Sequence, residues 1–222
     1  MNEHGATETD FMQEQFSMFR RTLDELKELL EKLRTGPANS DPRVANLKDG
    51  IFCLELALVF YEEANKALQA EAWFAASAVA SSALESVLLS KCFFQADEIT
   101  ALPKFAKLKQ KHKGDFGQFA RSFDLGKLLE IATDLSWFPG IGGLPQIVTS
   151  YLGRHLAEAT MSDLIRLFED KDVGRTCADY VRKHRNLLHP AVCLKEGRQP
   201  SRDEALAATF FFLVAFPSLS KS

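Results

Sequence analysis

Apolar side chains recur along the first segment of the chain at alternating spacings of four and three residues. The segment runs from about Thr9 to Arg34, and the turn-forming interval TGPANSDP follows it. The apolar positions are Met12, Phe16, Phe19, Leu23, Leu26, Leu30 and Leu33. Three heptads of this kind predict a helix with a narrow apolar seam, suited to pairing with another helix. We predict that residues 1–36 form an N-terminal dimerisation helix; the alternative is a helix that lies on its own domain.

The rest of the chain also follows helical periodicity. Two apolar segments, about Val44 to Gln69 and about Glu71 to Phe94, are almost contiguous and predict an antiparallel helical hairpin. Only AVCL, Ala191 to Leu194, alternates in the manner of a strand. Later helices are predicted over about Leu125 to Trp137, Gln146 to Glu158, Ser162 to Glu169, Val173 to His189, and from Ser201 to Pro217. The pattern predicts an all-α fold, with a helical bundle over residues 43–222.

Polar residues at helix ends support these boundaries. Asp124 is placed as an N-cap, and Ser201 with Glu204 three residues later forms a capping box. Pro190 is expected to end the helix before it. Within the apolar second helix of the hairpin, Glu85 needs a partner if it is buried, so we expect an ion pair or a cap there.

Composition excludes several classes of protein. The chain has 222 residues, 46% hydrophobic and 26% charged, as in ordinary soluble domains. Its net charge is −3, so the chain as a whole does not attract nucleic acid electrostatically. Most of its 18 Phe residues are expected in the core. The start of the chain has no secretory pattern, and the apolar run Leu206 to Leu219 is shorter than the roughly 20 residues that span a bilayer. We therefore expect a cytoplasmic protein that does not enter a membrane.

The four cysteines, Cys53, Cys92, Cys177 and Cys193, have no Cys-x-x-Cys spacing. The sequence therefore predicts neither a zinc ribbon nor a redox motif, and the thiols are expected to be free and mostly buried. No histidine spacing suggests a metal site, and no cofactor is expected.

The candidate chemistry lies in YVRKHRNLLHP, Tyr180 to Pro190. On a helix of about 100° per residue, the apolar residues and His184 share one sector, and His184 is expected to be a satisfied core residue. The opposite polar face carries Arg182, Arg185, Asn186 and His189.

That polar face contains the groups needed for attack of an RNA 2′-hydroxyl on the adjacent phosphate. Arginine has a planar fork that matches phosphate oxygens, and histidine can transfer a proton near neutral pH. An amide can orient the reacting group, and no metal is required. The alternative is a solvated polar face with a histidine near a helix C-terminus, where a cation is favourable.

The run RNLLHP, Arg185 to Pro190, resembles the HEPN superfamily (higher eukaryotes and prokaryotes nucleotide-binding domains). Members are small α-helical bundles with an Arg-x4-6-His motif in a late helix, often with a polar residue after the Arg. Arg182 and His189 have the Arg-x6-His spacing, with Lys183 after the arginine. Arg185 is followed by Asn186 but lies only four positions before His189. The hairpin from Glu62 to Ser90 is also similar to the first helical pair of that family.

The resemblance implies a metal-independent endoribonuclease that dimerises, of a kind found in toxin–antitoxin and phage-defence systems. It implies catalytic roles for Arg182, Arg185, Asn186 and His189. Other relatives are inactive, so the alternative is a non-catalytic helical dimerisation module that binds RNA or a partner protein. A partner protein from the same operon is a further expectation.

A second basic segment, KFAKLKQKHK, contains five lysines and no acid. We expect it to track a phosphate backbone through Lys104, Lys107, Lys109, Lys111 and Lys113. The alternative is ordinary solvated surface.

Overall fold

Helices make up most of the described structure of this chain. The computed structural model describes residues 8–35, 41–105, 116–120, 122–138, 152–154, 156–168, 173–186, 190–198 and 200–220. No strand occurs among these residues, which confirms the all-α prediction. In chain order the helices are α1 (Glu8–Arg34), α2 (Pro42–Gln69), α3 (Trp73–Phe94), α4 (Ala96–Ala101), α5 (Phe116–Ala120), α6 (Leu125–Asp134), α7 (Glu158–Phe168), α8 (Val173–Asn186), α9 (Pro190–Glu196) and α10 (Arg202–Ser220).

Helices α2 and α3 form the predicted antiparallel hairpin, and only residues 70–72 connect them. Glu71 adopts the left-handed conformation in this connection, with φ of 56°. Towards the other end, Gly50 leaves room for the ring of Phe94, which a Cβ at that position would overlap. The Ser90 hydroxyl donates to the carbonyl of Gly50 at 2.8 Å. Small residues therefore allow the two helices to approach closely at this point.

Helix α3 is the centre of the bundle and contacts α2, α6, α8 and α10. Leu84 and Leu88 of α3 are completely buried. Among the described helices, α3 has the length and composition of a membrane span, but half of that segment is buried by the surrounding helices. A core helix has the same properties, so this feature is weak evidence for a membrane.

Helix α1 lies along α2 through part of its apolar seam. Leu23 and Leu30 are 5% and 8% exposed and belong to the same hydrophobic core as the bundle. An ion pair of 2.6 Å between Lys27 Nζ and Glu55 Oε1 flanks this contact. These two seam positions therefore pack on their own domain, as the alternative proposed. The seam side chains before Leu23 lie outside the described part, and dimerisation through α1 stays a prediction.

The described part of residues 96–123 contains α4, a 3-10 turn at Pro103–Phe105 and α5. Its phenylalanines pack edge to face beneath the bundle: the ring centroids of Phe105 and Phe119 are 5.4 Å apart, and those of Phe119 and Phe123 are 4.6 Å apart. Phe105 is fully buried. These rings confirm that phenylalanine serves as core material here.

Several helix boundaries differ from the predicted ones. Helix α6 begins after Asp124 as predicted, with the carboxylate accepting from the Lys127 N–H at 2.8 Å, but it ends at Asp134 rather than Trp137. Helix α7 begins at Glu158, four residues before the predicted Ser162. The helix predicted from Gln146 lies mostly outside the described residues.

The region around Pro190 corrects one expectation. Helix α8 is described to Asn186, and the predicted helix end at His189 lies outside the described residues. Pro190 is the first residue of α9. Proline fits the first position of a helix because the N–H it lacks has no intrahelical acceptor there. The strand suggested for Ala191 to Leu194 is therefore wrong, since these residues lie in α9. Helix α10 also continues past Pro217 to Ser220.

Candidate functional site on helix α8

Helix α8 separates its apolar and polar side chains as the helical periodicity predicts. Cys177 and Val181 are completely buried, and Tyr180 and His184 are each 8% exposed. This side of α8 packs against α3 and α10. The core packing therefore sets the rotation of α8 and turns the candidate residues away from it.

Arg185 is held by a carboxylate from the central helix. Its Nη1 lies 3.0 Å from Oε2 of Glu85, whose side chain is 26% exposed. Burial raises the pKa of Glu85, the charge of Arg185 opposes this rise, and Asp124 adds to it. The ion pair expected for Glu85 is confirmed, and its partner is one of the candidate arginines.

Arg182 has a weaker attachment. Its Nε donates to Oδ1 of Asp179, one turn earlier in α8, at 3.3 Å, and both side chains are 37% exposed. The two terminal amino groups of Arg182 have no partner among the residues that the structure describes. Arg182 therefore keeps a planar pair of donors for another molecule.

The remaining two predicted residues lie at the end of α8. Asn186 is the last described residue of α8 and is exposed. His189 lies outside the described residues, so its predicted catalytic role stays a prediction. The structure thus places Arg182, Arg185 and Asn186 on one helix, away from its buried side.

A polar cleft adjoins this face between α6 and α8. Its volume is about 340 Å³. The wall from α8 is Arg175, Asp179 and Arg182, and the wall from α6 is Gly126, Leu129, Glu130, Thr133 and Asp134. Because Arg175, Asp179, Arg182 and Asn186 follow one another at helical spacings of four, three and four, the polar stripe of α8 continues from the cleft to the candidate face.

Lys104 is the one residue of the predicted phosphate-tracking lysines that the structure describes. It forms ion pairs with Glu130, at 2.8 Å, and with Asp134 on α6. Hydrogen bonds from Lys104 and Lys127 lower the pKa of Glu130 to about 2. The charge of Lys104 is therefore compensated within the protein. The other predicted lysines, Lys107, Lys109, Lys111 and Lys113, lie outside the described residues.

On the buried side of α8, His184 connects this helix to α10. Its Nδ1 lies 2.8 Å from the Tyr180 carbonyl oxygen, and its Nε2 lies 3.2 Å from Oε1 of Glu204. A carbonyl and a carboxylate only accept, so each ring nitrogen of His184 faces a hydrogen-bond acceptor. The Tyr180 ring stacks on the His184 ring, with centroids 3.9 Å apart. The prediction of a satisfied core histidine is confirmed.

Glu204 completes the predicted capping box as well as the contact with His184. Its Oε2 accepts from the Ser201 N–H at 2.9 Å, and the Ser201 hydroxyl accepts from the Glu204 N–H at 3.2 Å. Arg198 also donates to this carboxylate. Burial alone would raise the pKa of Glu204, but the hydrogen bonds from His184, Ser201 and Arg198 outweigh it and lower that pKa to about 2.

Sequence reasoning missed one buried charged group, Lys91 of α3. It is 5% exposed, and its Nζ lies 5.2 Å from the centroid of the Trp137 ring. Burial lowers the pKa of Lys91 to about 8, and the charge of Glu98 opposes that change. The signal in the sequence was a lone lysine in the apolar run LLSKCFF.

The four cysteines form no disulfide bond: Cys53, Cys92 and Cys177 are buried, and Cys193 is partly exposed. Burial, reinforced by Asp49, raises the pKa of Cys53 to about 11. Within the described stretches of the chain, no three His, Cys, Asp or Glu side chains lie close enough to hold a metal ion.

Comparison with known proteins adds no relative to this picture: no family model, no curated protein and no solved structure matches the chain.

Proposed function

We propose that this protein is a metal-independent endoribonuclease of the HEPN type. One observation carries the proposal: α8 presents Arg182, Arg185 and Asn186 on one polar side, and Glu85 of the central helix holds Arg185 in place at 3.0 Å. A guanidinium in a half-buried ion pair has a better-defined position than the guanidinium of an unpaired surface arginine. Such fixed donors are what stabilisation of a phosphorane-like transition state requires.

The proposed reaction is attack of an RNA 2′-hydroxyl on the adjacent phosphorus, with release of the 5′-oxygen of the next nucleotide. His189 takes the hydroxyl proton or gives a proton to the leaving oxygen. Beyond the Nη1 group that faces Glu85, Arg185 has three further N–H donors, and Arg182 has its terminal amino groups. The Arg185 donors would contact the reacting phosphate, the Arg182 donors would contact the adjoining nucleotide, and Asn186 would orient the phosphate.

Cleavage of a 5′-labelled RNA in the presence of EDTA tests the proposal. The wild-type protein should produce fragments ending in a 2′,3′-cyclic phosphate, because attack is internal. His189→Ala should abolish cleavage without changing the Tm. Arg166→Ala, an exposed arginine on α7, is the matched control and should cleave normally. No cleavage by the wild-type protein, or cleavage that survives His189→Ala, would overturn the proposal.

The second candidate is a non-catalytic helical dimerisation module that binds RNA or a partner protein. It is favoured by the fact that Arg182 and Arg185 are each already paired with a carboxylate of the same chain. Phe52 and Val59, seven residues apart on α2, are also 58% and 52% exposed and would suit a partner. Unlike a nuclease used in defence, such a module should not be toxic when overexpressed in the cytoplasm.

Both candidate functions include the formation of a homodimer. Light scattering should give twice the chain mass of 24.8 kDa at micromolar concentration. Removal of residues 1–36 tests whether α1 carries the interface: an unchanged mass would assign the interface to the bundle. A partner encoded in the same operon would be found by co-purification.

A further inference from the structure

The cleft between α6 and α8 has the chemistry of a nucleobase site rather than a phosphate site. Its walls carry the guanidinium groups of Arg175 and Arg182 together with the carboxylates of Asp179, Glu130 and Asp134. The charges of the lining have mixed sign, and Lys104 and Lys127 pair with the carboxylates of α6, so the cleft is not a site of concentrated positive charge. A flat group with both donors and acceptors matches this mixed lining.

The donors and acceptors that remain in the cleft lie on opposite walls. On α8, the two terminal amino groups of Arg182 lack a partner among the described residues. On α6, the ion pair of Asp134 with Lys104 uses Oδ2, and no contact of Oδ1 is found among those residues. Leu129 of α6 adds an apolar surface to the lining and is 7% exposed.

Guanine fits this arrangement better than the other three bases. Its O6 and N7 are two adjacent acceptors that match an arginine fork. Its N1–H and N2–H₂ are adjacent donors on the neighbouring edge, which a carboxylate can accept. Adenine, cytosine and uracil each lack at least one of these two pairs.

We propose that the α6–α8 cleft binds a guanine base, with Arg182 as the residue that determines the preference. The proposal rests on RNA being the substrate, as proposed above. Because Arg182 is three residues before Arg185 on α8, a base in the cleft would lie beside the proposed reaction centre. Cleavage would then occur next to guanosine in single-stranded RNA.

Equilibrium binding of the four nucleoside 5′-monophosphates to the full-length protein tests the inference without requiring cleavage. GMP should bind at least about tenfold more tightly than AMP, CMP or UMP, as expected for one bidentate arginine–guanine contact. Arg182→Lys keeps the charge and removes the fork, so it should abolish the preference. Arg166→Lys on α7 is the matched control and should retain it.

A second variant tests the place of binding. Thr133 lines the cleft and its hydroxyl donates to the carbonyl of Leu129 at 2.8 Å; Thr100 on α4 makes the same kind of bond to Asp97 at 3.0 Å, away from the cleft. Thr133→Gln should fill the cleft and weaken GMP binding about tenfold or more, whereas Thr100→Gln should not.

The outcomes separate this inference from the nuclease proposal. A GMP preference that depends on Arg182, in a protein that cleaves no RNA, would support guanine binding in the cleft and overturn the nuclease proposal. RNA cleavage without a preference for guanosine would support the nuclease proposal and overturn guanine binding in the cleft. Equal affinity for the four nucleotides, or a preference that survives both Arg182→Lys and Thr133→Gln, would also overturn the inference.

Discussion

The two sides of α8 both carry polar groups, and they differ in how completely those groups are hydrogen-bonded. On the buried side, both ring nitrogens of His184 and both carboxylate oxygens of its partner Glu204 on α10 have hydrogen-bond partners. On the cleft side, the contact of Arg182 among the described residues is that of its Nε with Asp179. The buried side therefore fixes α8 against α10, while the cleft side keeps donors available for a ligand. The difference suggests that stability and binding are carried by separate residues of the same helix.

The largest effect is expected for the loss of the Glu204 carboxylate, whose side chain is 15% exposed. Glu204→Ala removes the acceptor that faces Nε2 of His184, the partner of Arg198 and the cap of α10. Loss of a partly buried carboxylate with these three contacts should lower the free energy of unfolding by about 3 kcal/mol. Denaturant unfolding measures this. Glu158→Ala, an exposed glutamate in the first turn of α7, is the matched control and should cost less than about 0.5 kcal/mol.

The same contact should make stability depend on acid pH. Because the pKa of Glu204 is lowered from 4.5 to about 2 in the folded protein, its contribution is complete above pH 4.5 and is lost as the pH falls through about 2. The difference in unfolding free energy between wild type and Glu204→Gln should therefore shrink over this window. A difference that stays constant from pH 5 to pH 2 would show that ionisation of Glu204 does not stabilise the fold.

An intermediate effect is expected at the Glu85–Arg185 pair. Arg185→Ala leaves a carboxylate that is 26% exposed without its cation, and it should cost about 1–2 kcal/mol. A double-mutant cycle with Glu85→Gln measures the coupling directly. Additive effects of the two substitutions would mean that the pair does not position Arg185.

The smallest effect on stability is expected in the cleft. Arg182→Ala removes a partly exposed pair within one helix, which should cost at most about 0.5 kcal/mol. If its melting temperature is unchanged while nucleotide binding is lost, the two sides of α8 have separate roles. A loss of stability similar to that of Glu204→Ala would remove the distinction.

Local patterns in the sequence were sufficient for much of the site. Helical periodicity placed Cys177, Val181 and His184 in the core and turned Arg182 away from it, because rotation per residue is fixed within a helix. The capping box at Ser201 and Glu204 was equally local, since its two hydrogen bonds join residues three positions apart. Such features need no knowledge of which helices become neighbours.

The sequence by itself determined the all-α class, the α2–α3 hairpin and the two sides of α8, because each depends on residues close together in the chain. Only the tertiary structure decided the partners that come from distant segments. It paired Arg185 with Glu85, one hundred residues away, and it placed α6 opposite α8 to form the cleft. It also placed the Nζ of Lys91 over the ring of Trp137. The physical reason is that the periodicity of the sequence defines which side of a helix is apolar. The packing of all the helices together decides which side chains of other helices each side contacts.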